Sequence, residues 1–402
     1  MSLPETRTPA VLVEETYPQV FKIPPDAQSI IDRTRSLRRP GVWPRGETEQ
    51  LATLDGRVGE YVLDLTLKVT PAIHGLVDVG WGREGQGDTK GREGEDTTIK
   101  LDKVAEAFAA ERTSWYGKKY GLNVAVLSEH SDVITVDPNV VDVRDPIDNS
   151  GEYEAGHGSI NQYFAGGVYI KEDRVWKPKA AYSCNTKSQH IFYSMREKNY
   201  EYNPSTGEVE ALGIPRRVES VNDPKFRLAS YVGKYKYLKP FLNNYERLVQ
   251  YRNQSEALHT VAGSHQYGDG IATGAISAYI MFGEPVGELA QGLSFTKAAD
   301  YVVASVDPET GEWEEYEFDV EYYLKNPDSY KEDRVPMLIV ASTKRLLREL
   351  IHVGFSKNLP AEGFKEESPF KNFTANEGEE MVENKPIIFP WQKRLEFGDQ
   401  VA

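Results

Sequence analysis

Two aspartates lie three residues apart in the segment DPIDNS (145–150), directly after a short apolar run at Val140–Val143. Asp145 and Asp148 flank a rigid proline and can aim their carboxylates at one point, where the Ile147 carbonyl can add a neutral oxygen. Oxygen donors of this kind are the ligands that Mg²⁺ prefers. Asp-Pro and Asp-Asn are also common in turns, so the segment alone is compatible with a metal site or with an ordinary turn.

Further carboxylates precede this segment at positions that regular elements can bring towards it. Glu129 closely follows a predicted buried strand at Leu122–Leu127, and Asp96 and Asp102 flank a short apolar segment ahead of a predicted helix. Active sites of α/β proteins gather at the ends of strands. We therefore expect Glu129 to lie beside Asp145.

The elements that must position these residues follow from the hydrophobic pattern. Strands are predicted at 122–127, 140–143, 162–170, 190–195, 226–232, 258–262, 301–305 and 335–341. Helices are predicted at 59–80, 102–112, 238–251, 288–299 and 343–352, with Pro71 expected to disturb the first of them. Strands that alternate with helices after about residue 220 favour an α/β second half behind an α+β first half.

This pattern divides the chain into four parts. We predict an N-terminal arm at 1–54, a metal-binding α+β domain at 55–222, an α/β domain at 223–355 that completes the site, and a C-terminal tail at 356–402. The site is expected between the two domains.

Composition narrows the classes of function. The 402 residues include 62 acidic and 47 basic side chains, a formal net charge of −15, which disfavours a nucleic-acid surface built on clustered Lys and Arg. The sequence has no apolar run long enough for a transmembrane helix and no secretory signal at its N-terminus. Cys184 is the single cysteine, so an internal disulfide is excluded. We expect a cytoplasmic protein without nucleic-acid or membrane partners.

The order of these parts resembles a known enzyme group. The order is D-x5-D, a helix, a strand followed by Ser-Glu, and a strand followed by DPIDNS. It resembles the magnesium-dependent, lithium-sensitive phosphatase superfamily, which includes inositol monophosphatase and fructose-1,6-bisphosphatase. The resemblance covers residues 59–355. It implies a layered α-β-α-β-α sandwich of the sugar/inositol phosphatase type. It also implies an Mg²⁺-dependent phosphomonoesterase that hydrolyses a small sugar, polyol or nucleotide phosphate with metal-activated water.

The resemblance also implies roles for individual residues. The implied metal ligands are Asp96, Glu129, Asp145, the Ile147 carbonyl, Asp148 and Glu288. They would hold two Mg²⁺ ions, with a third position left open, and Mn²⁺ could substitute. The implied catalytic residues are Asp102, Glu129 and Ser150, and the implied substrate contacts are Asn149, Ser150, Ser264, His265 and Tyr279. The expected partner is a small-molecule phosphate ester, and the expected assembly is a homodimer or homotetramer.

Three positions leave alternatives open. His130 stands where the family usually has a second acidic residue, which leaves the third metal undecided. Asn149 replaces a glycine, although asparagine is the commonest other residue at positive φ. Glu284 could take the place of Glu288 as the last ligand. The first two departures favour, as the alternative, a homologue that binds a phosphorylated ligand without hydrolysis. A glycosidase that uses two carboxylates is a further possibility.

Overall fold

The structure is a computed structural model that describes residues 22–40, 52–83, 100–129, 132–154, 161–230, 235–253, 258–260, 263 and 266–355. The α-helices in these ranges are α1 (Pro25–Arg33), α2 (Leu54–Asp78), α3 (Lys100–Tyr120), α4 (Ser150–Glu154), α5 (Tyr235–Asn253), α6 (Val286–Ala290), α7 (Leu293–Ala298), α8 (Val320–Lys325), α9 (Pro327–Glu332) and α10 (Lys344–Phe355). The strands are β1 (Val124–Ser128), β2 (Val140–Asp148), β3 (Tyr163–Glu172), β4 (Val175–Asn185), β5 (Ile191–Met195), β6 (Lys198–Asn203), β7 (Glu208–Ala211), β8 (Leu228–Ser230), β9 (Leu258–Thr260), β10 (Ala278–Pro285), β11 (Val302–Val306), β12 (Trp313–Glu315) and β13 (Arg334–Ala341). A π-helix at Tyr267–Ala272 precedes β10.

The strands form two mixed sheets. In the first sheet β1 to β7 lie side by side in chain order, and only β1 and β2 are parallel. The second sheet has the order β12-β11-β13-β10-β8-β9, with parallel pairs at β10–β8 and β8–β9. The candidate site lies at the edge where β1 and β2 end.

Three apolar cores hold five layers together, and the central core includes both sheets and the helices between them. Helices α1 to α3 pack on one face of the first sheet. The other face packs against the second sheet together with α6 to α9, and α5 and α10 cover the far side of the second sheet. Alternate residues of β10 enter different cores: Tyr279 and Met281 lie between the sheets, whereas Ile280 and Phe282 face α5 and α10. The chain is therefore an α-β-α-β-α sandwich, as the family resemblance implies.

Pro71 does not disturb its helix, contrary to the expectation from the sequence. It lies inside the unbroken 25-residue helix α2. A proline lacks the N–H that would bond to the carbonyl four residues earlier, here that of Leu67. The Leu67 carbonyl accepts instead from the N–H of Leu37 at 2.9 Å. The segment after α1 thus replaces the missing hydrogen bond.

The predicted helix at 288–299 is two short helices, α6 and α7. Gly292 stands between them against the ring of Tyr267, where a Cβ atom would overlap the ring. A glycine at this position allows the π-helix to approach closely at the point where the two helices meet. This leaves α6 as a single turn directly after β10.

The predicted N-terminal arm includes a packed helix. Ala27 and Ile31 of α1 are buried in the core that also contains α2 and α3. The predicted tail at 356–402 lies outside the described residues, and the proposed domain boundaries stay a prediction. In the part of the chain that the structure describes, no helix has both the length and the apolar character needed to cross a membrane.

Candidate active site

The ends of the parallel strands β1 and β2 bring two acidic residues together. Ser128 and Arg144 are paired in register, so the next residues, Glu129 and Asp145, occupy neighbouring positions. Asp145 is buried and Glu129 is partly exposed. Their neighbouring positions are the ones predicted from the sequence, because each residue closely follows a predicted strand and strand ends gather at one edge of the sheet.

The two aspartates of β2 lie in an irregular stretch of the sheet. Asp145 pairs with Ala165 of β3. Asp148 pairs with Tyr163, so three steps along β2 match two steps along β3. Such a bulge bends a strand and redirects its side chains. The Ile147 N–H donates to Asp145 Oδ1 at 2.9 Å and holds that carboxylate in the bend. The segment is therefore a bulged strand end, of the kind found beside active sites.

A third carboxylate comes from the second half of the chain. One carboxylate oxygen each of Glu129, Asp145 and Glu288 lies within 4.8 Å of the other two. Glu288 belongs to α6, which directly follows β10 and packs against β2 of the first sheet. Glu284, the alternative ligand, is buried on β10 and is not part of this group. The structure thus brings Glu288, rather than Glu284, to the strand ends.

The carboxylates also influence one another electrostatically. Burial raises the pKa of Asp145 well above its ordinary value, and it is raised further by the negative charges of Glu288, Glu129, Asp148 and Asp102. Asp102 is buried in the first turn of α3. Five acidic groups therefore share one region, and clustering of this kind is unfavourable unless a proton or a cation compensates it.

Asp148 packs against the backbone of Gly263. That glycine has a φ of +88°, and a Cβ atom there would overlap the Asp148 carboxylate. The hydroxyl of Tyr279 donates to the Gly263 carbonyl at 3.3 Å. Tyr279 is only 1% exposed. The tyrosine therefore supports the backbone beside Asp148, and its direct contact with a substrate stays a prediction.

Asn149 adopts the left-handed conformation that the sequence predicts, with a φ of 69°. Its side-chain amide donates to the carbonyl of Asn161 at 3.1 Å, and its own carbonyl accepts from the N–H of Tyr153 at 3.3 Å. Ser150, the first residue of α4, is partly exposed. The turn after Asp148 therefore forms without the glycine of the family pattern.

Four residues of the predicted site lie outside the described part of the chain. They are Asp96, His130, Ser264 and His265. Their assigned roles, and the question of a third metal position at His130, stay predictions.

One hydrogen-bonded group beside Asp148 was not predicted from the sequence. Tyr163 donates to Asp269 Oδ2 at 2.6 Å and accepts from Asn185 Nδ2 at 3.2 Å. Burial and the Asp269 charge raise the pKa of Tyr163. Asp269 belongs to the π-helix, an element found frequently at functional sites. The sequence did predict a strand at 162–170. An antiparallel pairing of that strand with the aspartate segment would have placed Tyr163 beside Asp148.

Comparison with solved structures identifies the fold of the chain. Sequence comparison finds no matching family model and no matching curated protein. Solved structures do match. An IMPase/NADP phosphatase complexed with NADP and Ca²⁺ has a TM-score of 0.53 and 13% identity, over 76% of this chain and 98% of that one. The chain has the inositol monophosphatase fold.

Two further structures have the same fold. The IMPase/NADP phosphatase complexed with Mg²⁺ and phosphate gives a TM-score of 0.51 and 12% identity, over 76% of this chain and 98% of that one. SaIMPase-II, an inositol monophosphatase of Staphylococcus aureus, gives 0.50 and 16% identity in its 2'AMP-bound form, over 73% of this chain and 92% of that one.

The donor set fits a hard divalent cation. The grouped side chains Glu129, Asp145 and Glu288 offer only carboxylate oxygens. Mg²⁺ and Ca²⁺ are bound by oxygen. Burial and then the neighbouring negative charges raise the pKa of Asp145, and a bound dication would offset the repulsion among these charges. Asp148 and the Ile147 carbonyl lie on the same bulged strand end and could complete the shell.

Proposed function

We propose that the protein is a metal-dependent phosphomonoesterase that acts on a small sugar, polyol or nucleotide phosphate. One observation carries the proposal. Within the inositol monophosphatase fold, β1, β2 and α6 converge to place the carboxylates of Glu129, Asp145 and Glu288 within 4.8 Å of one another. A fold alone does not specify a function, whereas this donor set at the strand ends supports one.

Two Mg²⁺ ions are proposed to bind here. Their ligands would be the carboxylates of Glu129, Asp145, Asp148 and Glu288, with Asp96 as a further ligand. Bound Mg²⁺ would offset the charge of the substrate phosphate and lower the pKa of a coordinated water. The three grouped donors, Glu129, Asp145 and Glu288, are all carboxylates. The charge of the site therefore favours a cation and an anionic substrate together.

Asp102 is proposed to orient and deprotonate the attacking water. It is 1% exposed, and its charge raises the pKa of Asp145, so it lies close to the carboxylate group. A buried carboxylate is well suited to hold a proton during catalysis. Ser150 would relay that proton, and the N–H groups of Asn149 and Ser150 would position a phosphate oxygen. Ser264, His265 and Tyr279 are proposed to contact or shape the substrate.

The setting of the enzyme is part of the same proposal. A single cysteine, which excludes an internal disulfide, supports a reducing compartment such as the cytoplasm. Assembly as a homodimer or homotetramer stays a prediction.

The test is phosphate release from a panel of phosphorylated metabolites, with and without Mg²⁺, by the wild type and by Asp148→Asn. We expect Mg²⁺-dependent hydrolysis by the wild type and a loss of at least about 100-fold in the variant, since a metal ligand is removed. The variant should remain folded, because it relieves repulsion among carboxylates. Asp173→Asn is the matched control: Asp173 is exposed in the turn at the far end of β3 and has a positive φ that asparagine tolerates.

Each outcome separates the candidate functions. Ligand binding without phosphate release would favour the non-hydrolytic homologue. Hydrolysis of glycosides without a metal would favour the glycosidase. Full turnover by Asp148→Asn would refute the assigned site.

A further inference from the structure

A group of polar side chains lies buried behind the carboxylates, on the helix side of the first sheet. Arg144 Nη2 donates to Asp142 Oδ2 and to Thr113 Oγ1, each at 2.7 Å. Asp142 also accepts from the hydroxyls of Tyr61, at 2.5 Å, and Tyr182, at 3.0 Å. We call these five residues the Arg144 network. It joins β2 and β4 to helices α2 and α3.

The network is buried to an unusual degree for charged side chains. Arg144 and Asp142 are both 0% exposed. Burial opposes the charge of the guanidinium, but the adjacent Asp142 carboxylate raises the pKa of Arg144 above its ordinary value. Removing two charges from water costs several kcal/mol per ion, and apolar pairs often serve stability equally well. Stability is therefore a weak reason for this arginine to be here.

Its place in the chain gives a better reason. Arg144 directly precedes Asp145 on β2. Its hydrogen-bond partner Thr113 belongs to α3, the helix that carries Asp102. A second buried contact repeats the pattern, because Ser128 donates to Glu106 of α3.

The Ser128 contact acts on the neighbouring strand. Ser128 directly precedes Glu129 and is the register partner of Arg144. Glu106 lies one turn after Asp102 on α3. The two contacts therefore fix the ends of β1 and β2 to one helix, each one residue before a carboxylate of the candidate site.

We infer that Arg144 is a positioning residue: by tying β2 to α3 it fixes the separation of Asp145, Glu129 and Asp102 before a divalent cation binds. The inference rests on the proposed metal-dependent function. Like-charged carboxylates tend to separate, and a site that is held in place loses less affinity to rearrangement. The proposed role is geometric, because Arg144 is paired with Asp142 and its hydrogen bonds reach Asp142 and Thr113 rather than the grouped carboxylates.

The test compares Mn²⁺ binding, measured from the electron paramagnetic resonance of free Mn²⁺, with thermal stability in EDTA. The first variant is Asp142→Asn with Arg144→Met, which removes both buried charges together and leaves an acceptor for the tyrosine hydroxyls. The second is Thr113→Val, an isosteric change that removes the hydrogen bonds of Thr113 to Arg144 and to Tyr61 and keeps both buried charges. The control is Arg345→Met, on the remote helix α10, where the guanidinium is 54% exposed.

We expect both test variants to unfold cooperatively, with the dissociation constant for Mn²⁺ raised about tenfold in the double variant and severalfold in Thr113→Val. Where Mg²⁺ supports activity, the concentration for half-maximal rate should rise while KM at saturating Mg²⁺ changes little. A purely structural role would lower the melting temperature without this shift. Should the double variant fail to fold, Thr113→Val decides alone.

Wild-type affinity in the folded variants would overturn the inference, and so would a wild-type protein that binds no Mn²⁺. Tight Mn²⁺ binding without any phosphate release would instead refute the proposed phosphatase function. The inference about Arg144 would then still be decided by the affinities.

Discussion

Replacing Glu106 with glutamine should change how the stability of the protein depends on pH. Glu106 is a buried acid of α3 that accepts from Ser128. Burial raises the pKa of Glu106 from 4.5 to about 7, although the Arg144 charge and the Ser128 hydrogen bond lower it. The carboxyl is therefore neutral below about pH 7 in the folded protein and ionised above about pH 4.5 in the unfolded chain.

The sign of the effect follows from proton binding. Between the two pKa values the folded state binds more protons than the unfolded state, so stability falls as pH rises. The stabilising contribution is complete below pH 4.5 and is lost once the pH exceeds the folded pKa of about 7. A difference of this size corresponds to about 3 kcal/mol. Glutamine is neutral at every pH, so the variant escapes this loss.

The assay is thermal unfolding followed by circular dichroism at pH 5 and pH 8, in EDTA and at constant ionic strength. The Tm of Glu106→Gln minus the Tm of the wild type should be several degrees larger at pH 8 than at pH 5. Glu111→Gln is the matched control, because Glu111 is an exposed residue of the same helix. An equal Tm difference at both pH values would refute the reasoning, since Glu106 would then not titrate in this range.

Two further predictions concern the carboxylate group. Gly263→Ala should reduce Mg²⁺-dependent phosphate release by at least about 100-fold. Gly263 has a φ of +88°, and the new Cβ atom would overlap the Asp148 carboxylate. Steady-state kinetics measure the loss, and near-normal turnover would contradict the packing. Glu288→Gln should raise the Mg²⁺ concentration for half-maximal rate about tenfold or more, whereas Glu284→Gln should change it less than about threefold. The reverse order in a Mg²⁺ titration would identify Glu284 as the ligand.

Local sequence predicts the strand-end half of the candidate site and little beyond it. Glu129 and Asp145 each follow an apolar run, and strand ends gather at one edge in α/β folds. The conformation of Asn149 was predictable too, because few residues tolerate a positive φ. Glu288 is different: its local pattern fits Glu284 as well, and only the packing of α6 against the first sheet distinguishes them.

The features that local sequence missed depend on distant partners. Pro71 should break a helix in isolation, and it does not because Leu37 supplies an N–H to the freed carbonyl. At Gly292, where the predicted helix divides, the ring of Tyr267 from another element occupies the place that a side chain would take. Arg144 is a mixed case: its ion-pair partner Asp142 is two residues earlier on the same strand face, whereas its contact with Thr113 of α3 depends on the fold.

The strand order of the first sheet has a consequence for how the molecule is made. Strands β1 to β7 pair with their nearest neighbours along the chain, so this sheet can assemble as each strand leaves the ribosome. Glu129 and Asp145 are then in place before Glu288 has been synthesised. A nascent chain that ends after β7 contains two of the three grouped carboxylates. An ion that needs all three could therefore bind only after the C-terminal half has docked on the first sheet.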